Sequence, residues 1–220
     1  MYRQVLNAQW IAARQTLMVF VVLAFAAPLT AVYFGTSGVG ADMGQVRGWL
    51  AGAEKVGVLL PILALFIGVF FGIAAWAPDH LGKHVYALSL PLPRWQFVLL
   101  RFGAGATLLA APVAALGLGA ALATLAVSLP SGIHAYPVLL TVRFAVATLL
   151  CFSIFFAVAI ATKRAVLLVL TALGSILLGD LLFNTLSSSG FSVTALLFNG
   201  LTTWPGPLAI LMGRWALFDV

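Results

Sequence analysis

Apolar residues run through this chain in blocks that charge rarely interrupts. Thr16 to Gly35, Val56 to Ala77, Phe102 to about Leu129 and Val138 to Ala161 are each long enough to cross a bilayer core, which takes roughly 20 residues at about 1.5 Å rise. A fifth block, Ala165 to Phe183, carries Asp180 near one end. The pattern predicts an all-α, polytopic membrane helix bundle with five firm spans, forming one transmembrane unit over residues 1–220.

The two ends of the chain are patterned differently. In residues 1–14, Tyr2, Val5, Leu6, Trp10 and Ala13 recur at helical spacing while Arg3, Gln4, Asn7 and Arg14 face elsewhere, which predicts an interfacial helix on the membrane surface. Ala24-Phe25-Ala26 resembles a signal-cleavage site, but the apolar run from Thr16 onward is long for a signal core, so an uncleaved first span is expected. Residues 184–220 hold two short apolar pieces separated by Ser187-Ser188-Ser189-Gly190, Asn199-Gly200 and Pro205-Gly206-Pro207. Pieces of that length are more often re-entrant than spanning. Two short outer re-entrant helices are expected, the alternative being a sixth span from about Phe191 to Met212 broken by Pro-Gly-Pro.

Composition agrees with this reading. Hydrophobic residues make up 63% and charged residues 7%, against about 25% charged in soluble domains. The net charge of +6 is not gathered on one solvated face, which excludes nucleic-acid binding. Basic residues instead flank the spans. With the N-terminus inside, the inner side holds seven (Arg3, Arg14, Lys83, Arg94, Arg101, Lys163 and Arg164) and the outer side four (Arg47, Lys55, Arg143 and Arg214). The positive-inside rule therefore places the N-terminus on the cytoplasmic side, and the membrane is expected to be the cell's plasma (inner) membrane. Cys151, the single cysteine, is a packing residue, and Gly68, Gly72, Gly103, Gly105, Gly117 and Gly119 mark close-packing helix faces.

Candidate chemistry is sparse. A P-loop is absent, so any ATP must be bound by a separate subunit. His80 and His84 stand four apart, but without the glutamate of a zinc-protease helix or a third ligand beyond Asp79 they read as a solvated turn. No serine sits in a nucleophile elbow. Catalytic, cofactor and metal sites are therefore not expected. An ion-coupled carrier would keep ionisable groups at mid-membrane; the nearest here are Arg143 and Asp180, at similar outer depth. These either form an interhelical ion pair or are a snorkelling arginine beside a solvated aspartate.

The segment 78–101 is the richest. A short helix from about Gly82 to Leu90 precedes Pro91 and Pro93, which force an extended kink, and Arg94, Trp95 and Arg101 then anchor the third span at the interface. The run HVYALSLPLPRWQFVLLR, His84 to Arg101, resembles the cytoplasmic coupling segment of type-2 ABC transporter permeases, with Leu88, Pro91 and Arg94 matching a Leu-x-x-Pro-x-x-Arg-like turn. Two features depart from that family: Asp79, Gly82 and Lys83 stand where an acidic residue and a Gly-Thr pair are usual, and a standard sixth span is not evident.

The resemblance implies a permease subunit of an ATP-driven exporter. A separate cytosolic ABC ATPase would dock on Lys83, His84, Tyr86, Leu88, Pro91, Pro93 and Arg94, and a second permease chain, identical or related, would complete the path through membrane lipid. A hydrophobic or amphipathic substrate is expected, and the modest length is similar to that of haem-export permeases. The competing expectation is a non-transporting scaffold that anchors a larger membrane complex through its glycine-rich helices.

Overall fold

The computed structural model describes residues 2–36, 57, 59–76, 93–127, 134–161, 164, 167, 171–172, 174–175, 178–179, 215 and 217–219. Four helices dominate them: α1 (Tyr2–Thr36), α2 (Leu59–Ala74), α3 (Arg94–Leu125) and α4 (Pro137–Ala161). Two short strands, β1 (His134–Ala135) and β2 (Phe218–Asp219), pair antiparallel at the N-terminal end of α4.

The helices form where uncharged runs leave the backbone no partner but itself. Pro93 sits in extended conformation (φ −63°, ψ 141°), and its carbonyl accepts from the Gln96 and Phe97 amides at 3.0 and 3.3 Å to open α3. Pro137 occupies the first position of α4, where its missing N–H costs no helical hydrogen bond, and the Leu140 amide reaches the Tyr136 carbonyl at 3.1 Å. Pro28 and Pro112 lie inside α1 and α3.

α1 packs along α3 and α2 along α4, while α3 and α4 join the two pairs. Glycine sets how closely they meet. A Cβ on Gly68 would overlap Cys151 Cβ and lie 2.7 Å from the Phe152 amide; one on Gly72 would lie 2.8 Å from the Phe156 amide. On α3, Gly119 faces the Phe25 carbonyl of α1, and a Cβ on Gly105 would lie 2.5 Å from Cζ of the Phe152 ring of α4. Around these contacts the core is aromatic, with Phe102, Phe152 and Phe156 mutually 5.2 to 5.5 Å apart between ring centres.

Three described helices, Tyr2–Thr30, Arg94–Leu125 and Pro137–Ala161, are long and apolar enough to cross a membrane. The five-span expectation is not carried by the described residues. α2 has 16 residues and so reaches only about 24 Å, short of a core about 30 Å thick. The fifth expected span is described only at scattered helical positions between 167 and 179, and Asp180 lies outside the described residues. Of the 184–220 region, only 215 and 217–219 are described.

Two boundaries also differ from expectation. α3 starts at Arg94, about two turns before Phe102, because its first turns are helical although polar. The expected surface helix and first span are one unbroken helix. Its first turns nevertheless leave the path of the rest. Gln9 meets Arg101 and Phe25 meets Gly119, so α1 runs parallel to α3 over that stretch. Tyr2 precedes Gln9 by about 10 Å of helix, yet its hydroxyl lies 3.1 Å from Thr107 Oγ1, ahead of Arg101. The first two turns of α1 therefore lie across α3.

Candidate functional site

The end of the bundle that holds the N-terminus gathers Gln9 of α1, Ala75 and Trp76 after α2, Phe97 and Arg101 of α3, and Phe156 of α4. Arg101 is the centre. Its position four residues after Phe97 puts both side chains on the face of α3 turned toward the end of α2, and only 6% of Arg101 remains exposed.

Burying a guanidinium requires replacement of its water. Here Nη1 donates to the Ala75 carbonyl at 2.9 Å. The guanidinium carbon lies 4.8 Å from the Trp76 ring centre and 4.9 Å from that of Phe97. The negative faces of the two rings attract the cation. The carbonyl belongs to the residue that closes α2, its amide bonded to the Phe71 carbonyl at 3.0 Å, where unpaired carbonyls concentrate partial negative charge, so Arg101 also caps that helix. Trp76 is fixed edge-on to Phe97 at 6.4 Å and tilted on Phe156 at 5.4 Å. Gln9, 4% exposed, donates from Nε2 to the Arg101 carbonyl at 3.2 Å. Its Oε1 and the Trp76 indole N–H are buried without a hydrogen-bond partner.

Arginine suits this place because its charge is permanent and its planar head offers both stacking faces and in-plane donors. The arrangement does no bond-making chemistry; it fixes geometry. Arg101 ties Ala75 and Trp76, which follow α2, to the first turns of α3 in one packed patch. Residues 77–92, which lie outside the described residues, contain most of the expected coupling segment.

Of the residues expected to dock an ATPase, Lys83, His84, Tyr86, Leu88 and Pro91 lie outside the described residues, as do His80 and Asp79. Pro93 and Arg94 are described and exposed at the start of α3. Trp95 is exposed too, but Arg101, expected to anchor the third span at the interface, is instead buried against Ala75, Trp76 and Phe97. The signal for this was available in an arginine one turn after Phe97, with a tryptophan closing the preceding apolar block.

At the opposite end, Arg143 is half-buried with its guanidinium carbon 5.0 Å from the Trp215 ring centre. Its expected partner Asp180 lies outside the described residues. Cys151 is buried beneath Gly68, as a packing residue. Compared with protein-family models, with curated proteins and with solved structures, the chain matches none of them.

Proposed function

We propose that this chain is the membrane-spanning permease subunit of an ATP-driven exporter, with five crossings, a cytoplasmic N-terminus and a cytoplasmic coupling segment. A separate cytosolic ABC ATPase docks on Lys83 to Arg94, and a second permease chain completes the translocation path for a hydrophobic or amphipathic substrate. The observation that carries this reading is the Arg101 clamp. A segment that receives force from a motor must be held rigidly where it joins the spans, since loose attachment would absorb the displacement. Arg101 joins Ala75 and Trp76, at the end of α2, to the first turns of α3 by a hydrogen bond and two ring contacts.

The scaffold alternative draws less support. Gly68, Gly72, Gly105, Gly117 and Gly119, which it would use to anchor other subunits, face residues of this same chain.

The test is purification of the full chain from its native membrane, followed by identification of what accompanies it. The wild type is expected to bring down a P-loop ATPase, and the Tyr86→Asp/Leu88→Asp variant to insert and fold without it, because apolar anchors dominate interface energy. Equal recovery of the ATPase with both proteins, or of none with either, refutes the docking assignment.

A further inference from the structure

Where the first turns of α1 cross α3, they leave a groove of about 310 Å³ lined by Arg3, Leu6, Asn7, Trp10, Thr107 and Leu108. We propose that this groove binds the headgroup and upper acyl region of an anionic phospholipid.

Charge is the first reason. Arg3 and Asn7 are exposed on the crossing turns, and the basic residues Arg3, Arg14, Arg94 and Arg101 share this end of the bundle, where no acidic residue stands among the described residues. A guanidinium beside an amide provides several donors for phosphate oxygens. Depth is the second. Trp10 and Trp95 are both exposed here, and exposed tryptophan concentrates at the membrane–water interface, the level of a lipid phosphate.

Continuity with an apolar surface is the third reason and the one that selects a lipid over a free anion. Leu6 and Leu108 line the groove, and the exposed apolar side chains of Ile11 and Met18 follow on the adjoining flank of α1. Acyl chains can follow that surface while the phosphate stays with Arg3. The groove is near the lower limit of ligand-site volumes, about 300 Å³, so it accommodates the polar end of a lipid and not the whole molecule.

Native mass spectrometry of the full chain, released from detergent containing phosphatidylglycerol, phosphatidylcholine or inorganic phosphate, tests the site. Wild-type protein should retain phosphatidylglycerol in preference to phosphatidylcholine and should show no phosphate adduct that competes with it. Arg3→Ala should lower phosphatidylglycerol retention about fivefold, the effect of one basic residue at an anionic surface. Thr107→Trp, at an exposed lining residue, fills the groove without altering charge and should lower it as well, with an unchanged melting temperature reporting intact folding for each variant. Wild-type retention in both variants, equal retention of the two lipids, or phosphate binding that displaces the lipid would each overturn the proposal.

Discussion

Arg101 and Ala75 stand 26 positions apart in the chain, yet the guanidinium of one donates to the backbone carbonyl of the other at 2.9 Å inside a buried aromatic frame. Arg101→Met deletes the donor and leaves that carbonyl without it in an apolar place, which costs about 1–3 kcal/mol. Arg101→Lys keeps the charge but loses the planar head that stacks on Trp76 and Phe97, and should recover only part of the loss. Unfolding midpoints in mixed micelles should fall in the order wild type, lysine, methionine. A methionine variant as stable as wild type would show that the clamp contributes nothing.

Gln9 should respond in the opposite way although it belongs to the same cluster. Gln9→Met loses one hydrogen bond, worth about 0.5–1.5 kcal/mol, but also removes a buried carbonyl oxygen that has no partner. The two effects oppose each other, so stability should stay within about 1 kcal/mol of wild type. A loss comparable to that of Arg101→Met in the same micelle titration would mean that Oε1 is satisfied in the membrane.

Glycine positions separate into those that set helix spacing and those that do not. Gly68→Ala and Gly119→Ala drive a methyl into Cys151 and into the Phe25 carbonyl, and should each cost about 1–3 kcal/mol as overpacking. Gly103→Ala meets only the Tyr2 ring at 3.7 Å, an ordinary contact, and should be tolerated or slightly stabilising through helix propensity. Equal destabilisation by all three would contradict the packing described.

These sites differ in how far the sequence exposed them. The apolar blocks predicted α3 and α4 well because hydrophobic length is itself the physical requirement for a membrane helix. α4 begins at Pro137, one residue before the expected Val138. The polar first turns of α3 escaped the same criterion: a helix that enters the aqueous interface need not stay apolar, so Arg94 and Gln96 hid its start. The Arg101 clamp was less legible still. Sequence spacing relates Arg101 to Phe97, but only the antiparallel packing of α2 and α3 brings Trp76 and Ala75 to it. The crossing of α1 over α3 was illegible because amphipathic spacing gives the face a helix buries and not the direction in which it runs. Gly68 and Gly72, by contrast, were recognisable as a packing face from their spacing alone.

The tail supplies a test of placement. β1 and β2 pair His134 with Asp219 and Ala135 with Phe218, and the Tyr136 amide donates to the Leu217 carbonyl at 2.9 Å. This sets residues 217–219 beside the N-terminal end of α4, away from the Arg101 cluster. Directly paired residues of an antiparallel ladder have Cα atoms about 4.5–5.5 Å apart, within the range of about 4.4–6.8 Å that a disulfide needs. An Ala135→Cys/Phe218→Cys variant should therefore crosslink on mild oxidation. Cys151→Ala is the proper background, since alanine keeps the Cβ on which Gly68 packs and removes the competing thiol. The control follows from the pleat. Successive side chains in a strand point to opposite faces, so His134→Cys/Phe218→Cys places its two thiols on different sides of the ribbon. It should crosslink far more slowly, read as loss of thiol labelling on the intact chain. Faster crosslinking of the control would shift the register by one residue, and failure of both pairs would remove the tail from this end of the bundle.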